Sequence, residues 1–119
     1  MGKLAERLSD PVRSGVYRIE TTEAVEEAAA LNGYPLLRVA LNGSAAGALD
    51  AAAVGGSRVI VVSGFESFFR EQPREAQALV SALGAATRAA RERGTRFFVA
   101  FLDPEGALGS LPPLYNWRK

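Results

Sequence analysis

Residues 58–62 read Arg-Val-Ile-Val-Val, an uninterrupted β-branched run behind one arginine. A strand with one wet face alternates apolar and polar side chains, and this one does not. It fits a central strand covered by helices on both faces, the usual situation in a parallel sheet. Parallel strands cannot be joined by tight hairpins, so long crossovers must flank the run on both sides. That requirement directs the reading of the rest of the chain.

The remaining segments alternate accordingly. "GVYRIE" at 15–20, "YPLLRVAL" at 34–41 and "RFFVAF" at 96–101 read as further strands. Leu4 and Leu8 put an apolar side on a short first helix that Asp10-Pro11 ends. Val25, Ala28 and Ala29, with Asn32 in line, share one face of a helix that Thr21 or Thr22 can cap and Gly33 can close. Ser44 is placed to start a short helix running to about Val54, with Gly55-Gly56 behind it. Phe65, Phe68 and Phe69 predict a short aromatic helix, and Pro73 opens a long one with Leu79, Val80, Leu83, Ala86 and Ala90 as its core stripe. Gly94 stops it. The order predicts a single α/β domain over 1–119, with about four mostly parallel strands and helices packed against them.

Composition removes several kinds of chemistry. The 119 residues contain no cysteine and no histidine, so thiolate catalysis and histidine-based triads are unavailable. A zinc site would need carboxylates alone. No glycine-rich phosphate loop follows any strand, and "GGS" at 55–57 precedes one. Asp103 and Glu105 are better explained as turn formers than as paired acids. The expectation is a protein with no catalytic residues, no cofactor and no metal. The net charge of +1 and the lack of a long apolar run argue against nucleic acid and membrane partners. Arg88, Arg91, Arg93 and Arg96 read as cations favoured at a helix C-terminus. The N-terminal segment lacks an apolar signal-peptide core, which with the missing cysteines predicts a cytoplasmic protein.

One segment is unusually plain. "LNGSAAGALDAAAVGG" at 41–56 holds six alanines, four glycines and one charge, Asp50, between two predicted strands. The stretch Leu8-Ser9-Asp10-Pro11-Val12-Arg13-Ser14-Gly15-Val16-Tyr17-Arg18 is similar to the start of the longer bacterial members of the barstar family. The pattern from 58 to 101 and the Leu-Pro-rich end at 111–115 also resemble that group. The resemblance implies a barstar-like fold and an intracellular inhibitor that plugs a ribonuclease active site. The family does so with an aromatic-Gly-x-Asn-x-Asp-Ala-Leu motif between the strands corresponding to 36–41 and 58–62. That motif is absent here, so the crossover at 44–56 reads as shortened, with the acidic recognition loop and helix missing. A carboxylate that the family places on its last helix falls near Ala89, and no inhibitory residue carries over.

What remains is a non-catalytic protein-binding protein, of ribonuclease-inhibitor or immunity type, whose barnase-type surface is lost or changed. Its partner would be a protein, a ribonuclease or another toxin. Glu23, Glu26, Glu27 and Asp50 are the candidate contacts, although glutamates at a helix start are also favoured by the dipole. The alternative is a homo-oligomeric remnant of the fold, a homodimer in its simplest form. A small ligand-binding domain or enzyme is the third reading. Leu49 and Val54 are the only large apolar groups of the short crossover, which predicts a burial shortfall over 36–41 and 58–62. Leu111, Leu114, Tyr115 and Trp117, in the tail at 103–119, are the candidates to cover it, in their own chain or in a second copy.

Overall fold

The structure is a computed structural model that describes residues 8–10, 13–41, 46–53, 55–103 and 114. Its elements run β1 (Gly15–Ile19), α1 (Glu23–Leu31), β2 (Leu36–Ala40), α2 (Ala46–Ala52), β3 (Arg58–Ser63), α3 (Phe65–Glu71), α4 (Pro73–Glu92) and β4 (Phe97–Leu102). The four strands form one sheet in the order β1-β4-β3-β2, and every pairing is parallel. The alternating layout read from the sequence is therefore an α/β fold with a wholly parallel sheet.

Strand order explains where the helices lie. The chain first crosses the whole sheet from β1 to β2, then returns one strand at a time through β3 to β4. Right-handed crossovers running in opposite directions put their helices on opposite faces. Among the described elements, α1 covers one face, burying Val25, Ala28 and Ala29 against Val59, Val61, Phe98, Ala100 and Ile19. The helices α2, α3 and α4 cover the opposite face. There Ala48, Phe65, Phe68, Leu79 and Leu83 meet Ile60, Val62, Phe97, Val99 and Phe101.

Local chemistry sets the boundaries. At the end of α1, Gly33 takes φ +72°, and its N–H donates to the Ala30 carbonyl while Tyr34 N–H donates to that of Ala29. At the end of α4, Gly94 takes φ +74°, with the same pair of bonds to Arg91 and Ala90. These paired bonds satisfy carbonyls that a helix end leaves unmet, and they need a residue that tolerates positive φ. Pro73 stands at the first turn of α4, where its missing N–H costs nothing. Thr22 precedes α1 but makes no side-chain cap bond: its dihedrals are already helical, and its carbonyl accepts from Glu26 N–H. Ser44 and the first helix before Leu8 lie outside the described residues.

The burial shortfall expected over 58–62 is not found. Residues 58–62 are all buried: Val59 and Val61 belong to the cluster that α1 joins, and Ile60 and Val62 to the one that holds Ala48, Phe65, Phe68, Leu79 and Leu83. Only Ala48 of α2 is buried, and Leu49 remains 43% exposed. The thin cover is confined to β2, an edge strand with partly and fully exposed residues. Leu114 is fully buried, but it packs with Leu8 on the α1 face and donates its N–H to Arg18 O of β1. It lies beside the opposite edge of the sheet from β2. Leu111, Tyr115 and Trp117 lie outside the described residues.

One side chain ties β1 to the end of α4. Ser14 is buried, and its hydroxyl donates to Thr95 O (3.1 Å) and accepts from Phe97 N–H (3.0 Å). Ser14→Ala leaves a buried N–H without its partner, so a loss of about 1–3 kcal/mol is expected in urea denaturation. Unchanged stability would mean that water replaces the hydroxyl at no cost.

Candidate functional site

The carboxyl end of the sheet is where ligands of open α/β folds are received. Here the parallel ladders run on past the strand ends. Leu41 N–H donates to Ser63 O at 3.0 Å, and Asp103 N–H donates to Ile19 O at 2.8 Å. Ser63 Oγ faces Val39 O at 3.4 Å. Gly64 has φ +76°, and a Cβ there would meet the Leu41 carbonyl oxygen at 3.5 Å, so the backbone of Leu41 lies against Gly64. Asp103 is buried. Glu105 lies outside the described residues. Among the described residues no group of three or more carboxylates could hold a metal ion.

The four candidate contact residues do not converge on one surface. Glu23, Glu26 and Glu27 belong to α1, and Asp50 belongs to α2, so the two sets lie on opposite faces of the sheet. Glu23 and Glu27 are exposed, as is Asp50. Glu26 is half-buried and forms an ion pair with Arg38 of β2, which occupies its carboxylate within the chain. Two edges of α1 thus do different work: Val25, Ala28 and Ala29 face the core, while Glu23 and Glu27 are left to solvent. Of the described apolar side chains, Leu31, Leu49 and Phe69 are the large ones that stay exposed. Leu31 ends α1 just before β2, and Leu49 lies on α2 just after it.

The amino end of the sheet holds the group that sequence reasoning passed over. Arg58 heads β3 and is buried, with its guanidinium 3.7 Å from the centre of the Phe97 ring. Its Nη2 donates to Ala52 O at 2.6 Å, and its Nη1 donates to Gly56 O. A cation is well placed there, because Ala52 is the last residue of α2 and its carbonyl is at the negative end of the helix. Burial, and secondarily the charge of Arg93, hold the Arg58 guanidinium below the usual arginine range. The residue is a clamp that fastens the short crossover to the sheet. The signal was available: an arginine opening an otherwise unbroken apolar strand must bury its charge and therefore needs partners.

Other arginines lie at this end of the sheet, Arg96 on the face opposite Arg58. Arg91 Nη1 lies 3.5 Å from Ser14 O, and Arg96 Nε donates to Ser9 O. Tyr34 is near enough to Arg96 to feel its charge, although burial dominates and raises the phenol above its usual range. Arg88 and Arg91 are exposed on the last turns of α4, as is Arg93 just after it. The expected placement at a helix C-terminus is what the structure shows, and the site extends further than the helix. No described helix is long and apolar enough to cross a membrane. Compared with family models, with curated proteins and with solved structures, the chain matches none.

Proposed function

We propose that this chain is a non-catalytic, barstar-like protein-binding protein of the cytoplasm, related to intracellular ribonuclease inhibitors or immunity proteins, with the barnase-type surface lost or changed. The observation that carries the second half is the β2–β3 crossover. At the place where the family sets its acidic motif stands a seven-residue helix, Ala46–Ala52, with Asp50 as its one carboxylate. The glutamates of α1 cannot reinforce Asp50 across the sheet, and Glu26 is already paired with Arg38. An inhibitor that mimics RNA phosphates needs several carboxylates facing one basic cleft, since interface energy concentrates in a few clustered residues.

The test is a titration of a barnase-type ribonuclease cleaving RNA. Activity is expected to persist at a stoichiometric excess of this protein. Stoichiometric inhibition at nanomolar concentration would locate a recognition surface outside the crossover and overturn the reading. A second reading, a homo-oligomeric remnant of the fold, is favoured by the β2 edge. Among the described residues that strand has one paired neighbour, β3, and the exposed Leu31 and Leu49 lie on the helices before and after it. Unprotected edge strands are templates for pairing with another chain. Sedimentation equilibrium decides between them, because the first reading expects the mass of one chain and the second a multiple of it.

A further inference from the structure

The crossover helix α2 is weak by its own composition. It has seven residues, below the length at which a helix holds itself together in water, and Gly47 stands in its first turn. That first turn carries no acidic residue and the last turn no basic one, so the helix does not compensate its own dipole. Of its side chains only Ala48 is buried, while Leu49 and Asp50 are exposed and Ala51 and Ala52 half-buried. Little apolar surface holds it down, and low local burial marks a segment that opens before the rest of a domain.

What the helix lacks, Arg58 supplies. The guanidinium lies over the Phe97 ring, and its Nη2 donates to Ala52 O at 2.6 Å, at the C-terminal end of α2. Its Nη1 donates to Gly56 O. This attachment costs the charge its hydration. Arg58 is buried and takes part in none of the ion pairs among the described residues, and its Nε has no hydrogen-bond partner among them. Burial first, and the charge of Arg93 second, hold the guanidinium below its usual range. Lifting α2 returns that group to water, so closure favours the helix and disfavours the arginine.

The sheet has fastenings of its own on either side. Leu41 N–H donates to Ser63 O at 3.0 Å and Arg58 N–H to Arg96 O at 2.8 Å, so the pairing of the strands that the crossover joins does not run through α2. We propose that α2 is a strap that opens as a unit while the sheet stays folded, with Arg58 as its latch. The inference goes beyond the protein-binding reading and does not rest on it. What the strap uncovers is its own side of β2. A Cβ on Gly47 would lie 3.6 Å from Val39 Cγ1, and Leu37 packs on the same face. The open form presents those two side chains and a hydrated Arg58 on one face of the sheet.

The test is native-state hydrogen exchange of the full chain, read by NMR in water and in low urea. The amides of residues 50–53, which bond back along α2, are expected to exchange through an opening that low urea leaves nearly unchanged, because it exposes little surface. Those of β3 and β4 are expected to exchange far more slowly, with the urea dependence of global unfolding. Arg58→Met keeps an unbranched stem against Phe97 and removes the charge. It is expected to speed exchange at 50–53 about tenfold, the order expected for losing a hydrogen bond to a charged group. In β3 and β4 exchange is expected to be no faster, since an apolar replacement relieves a buried charge. Arg58→Lys keeps a point charge without the fork, is expected to fall between the two, and takes the place of Arg58→Met if that variant does not fold. Three results would each overturn the proposal: protection at 50–53 equal to that of β3 and β4, a global urea dependence at those four amides, or a variant that leaves them unchanged or speeds exchange in the strands equally.

Discussion

Phe101→Ala is expected to lower stability by about 3–5 kcal/mol, the usual range for truncating a buried aromatic. Phe101 is fully buried on β4, one of the two central strands, and its ring centre lies 4.5 Å from that of Phe65. Phe65 in turn stacks on Phe69 at 6.0 Å, so the cavity opens where α3 rests on the sheet. Two effects add: lost transfer energy for the ring, and a void that the parallel sheet cannot collapse to fill. Against a total of roughly 5–15 kcal/mol, such a loss is a large fraction. For a domain of this size it corresponds to a fall in Tm of about 10–25 °C, measurable by calorimetry. A loss under 1 kcal/mol would mean that α3 closes over the void and that the Phe65–Phe101 contact is not a fixed part of the core.

Leu114→Ala is expected to cost about 2–5 kcal/mol. Leu114 is fully buried with Leu8, Ile19 and Phe98 on the face that α1 covers. The nine residues of α1 share that face of the four strands with Leu8 and Leu114. A point substitution isolates this contact, while deletion of residues 108–119 also removes the Leu114 N–H bond to Arg18 O. Denaturant unfolding of both variants is therefore expected to show a loss, with the deletion at least as destabilised as Leu114→Ala. If the deletion keeps full stability, Leu114 contributes nothing to the fold and the α1 face is closed by other means.

The sequence by itself determined the element types and most of their edges. Gly33 and Gly94 end helices because left-handed backbone is cheap only without a Cβ, and Pro73 begins one because its missing N–H is unneeded there. The run at 58–62 announced a strand buried on both faces, since no polar side chain interrupts it. These are local or periodic signals, and neighbouring residues carry them. The order β1-β4-β3-β2 was not legible, because parallel pairing depends on which strands meet after long crossovers and leaves no mark at any one position.

That order decided everything about the surface. It put the glutamates of α1 and Asp50 of α2 on opposite faces, although the sequence had grouped them by charge. It also set β3 inside the sheet, buried on both faces, and left β2 at the edge beside the alanine-rich crossover, thinly packed. Arg58 shows the same division most clearly. Its presence at the head of a buried strand was plain in the sequence, but its partners, Ala52 O, Gly56 O and the Phe97 ring, come from the crossover before β3 and from β4. Only the folded sheet brings those together, because a buried charge is satisfied by whatever the topology delivers within hydrogen-bonding reach.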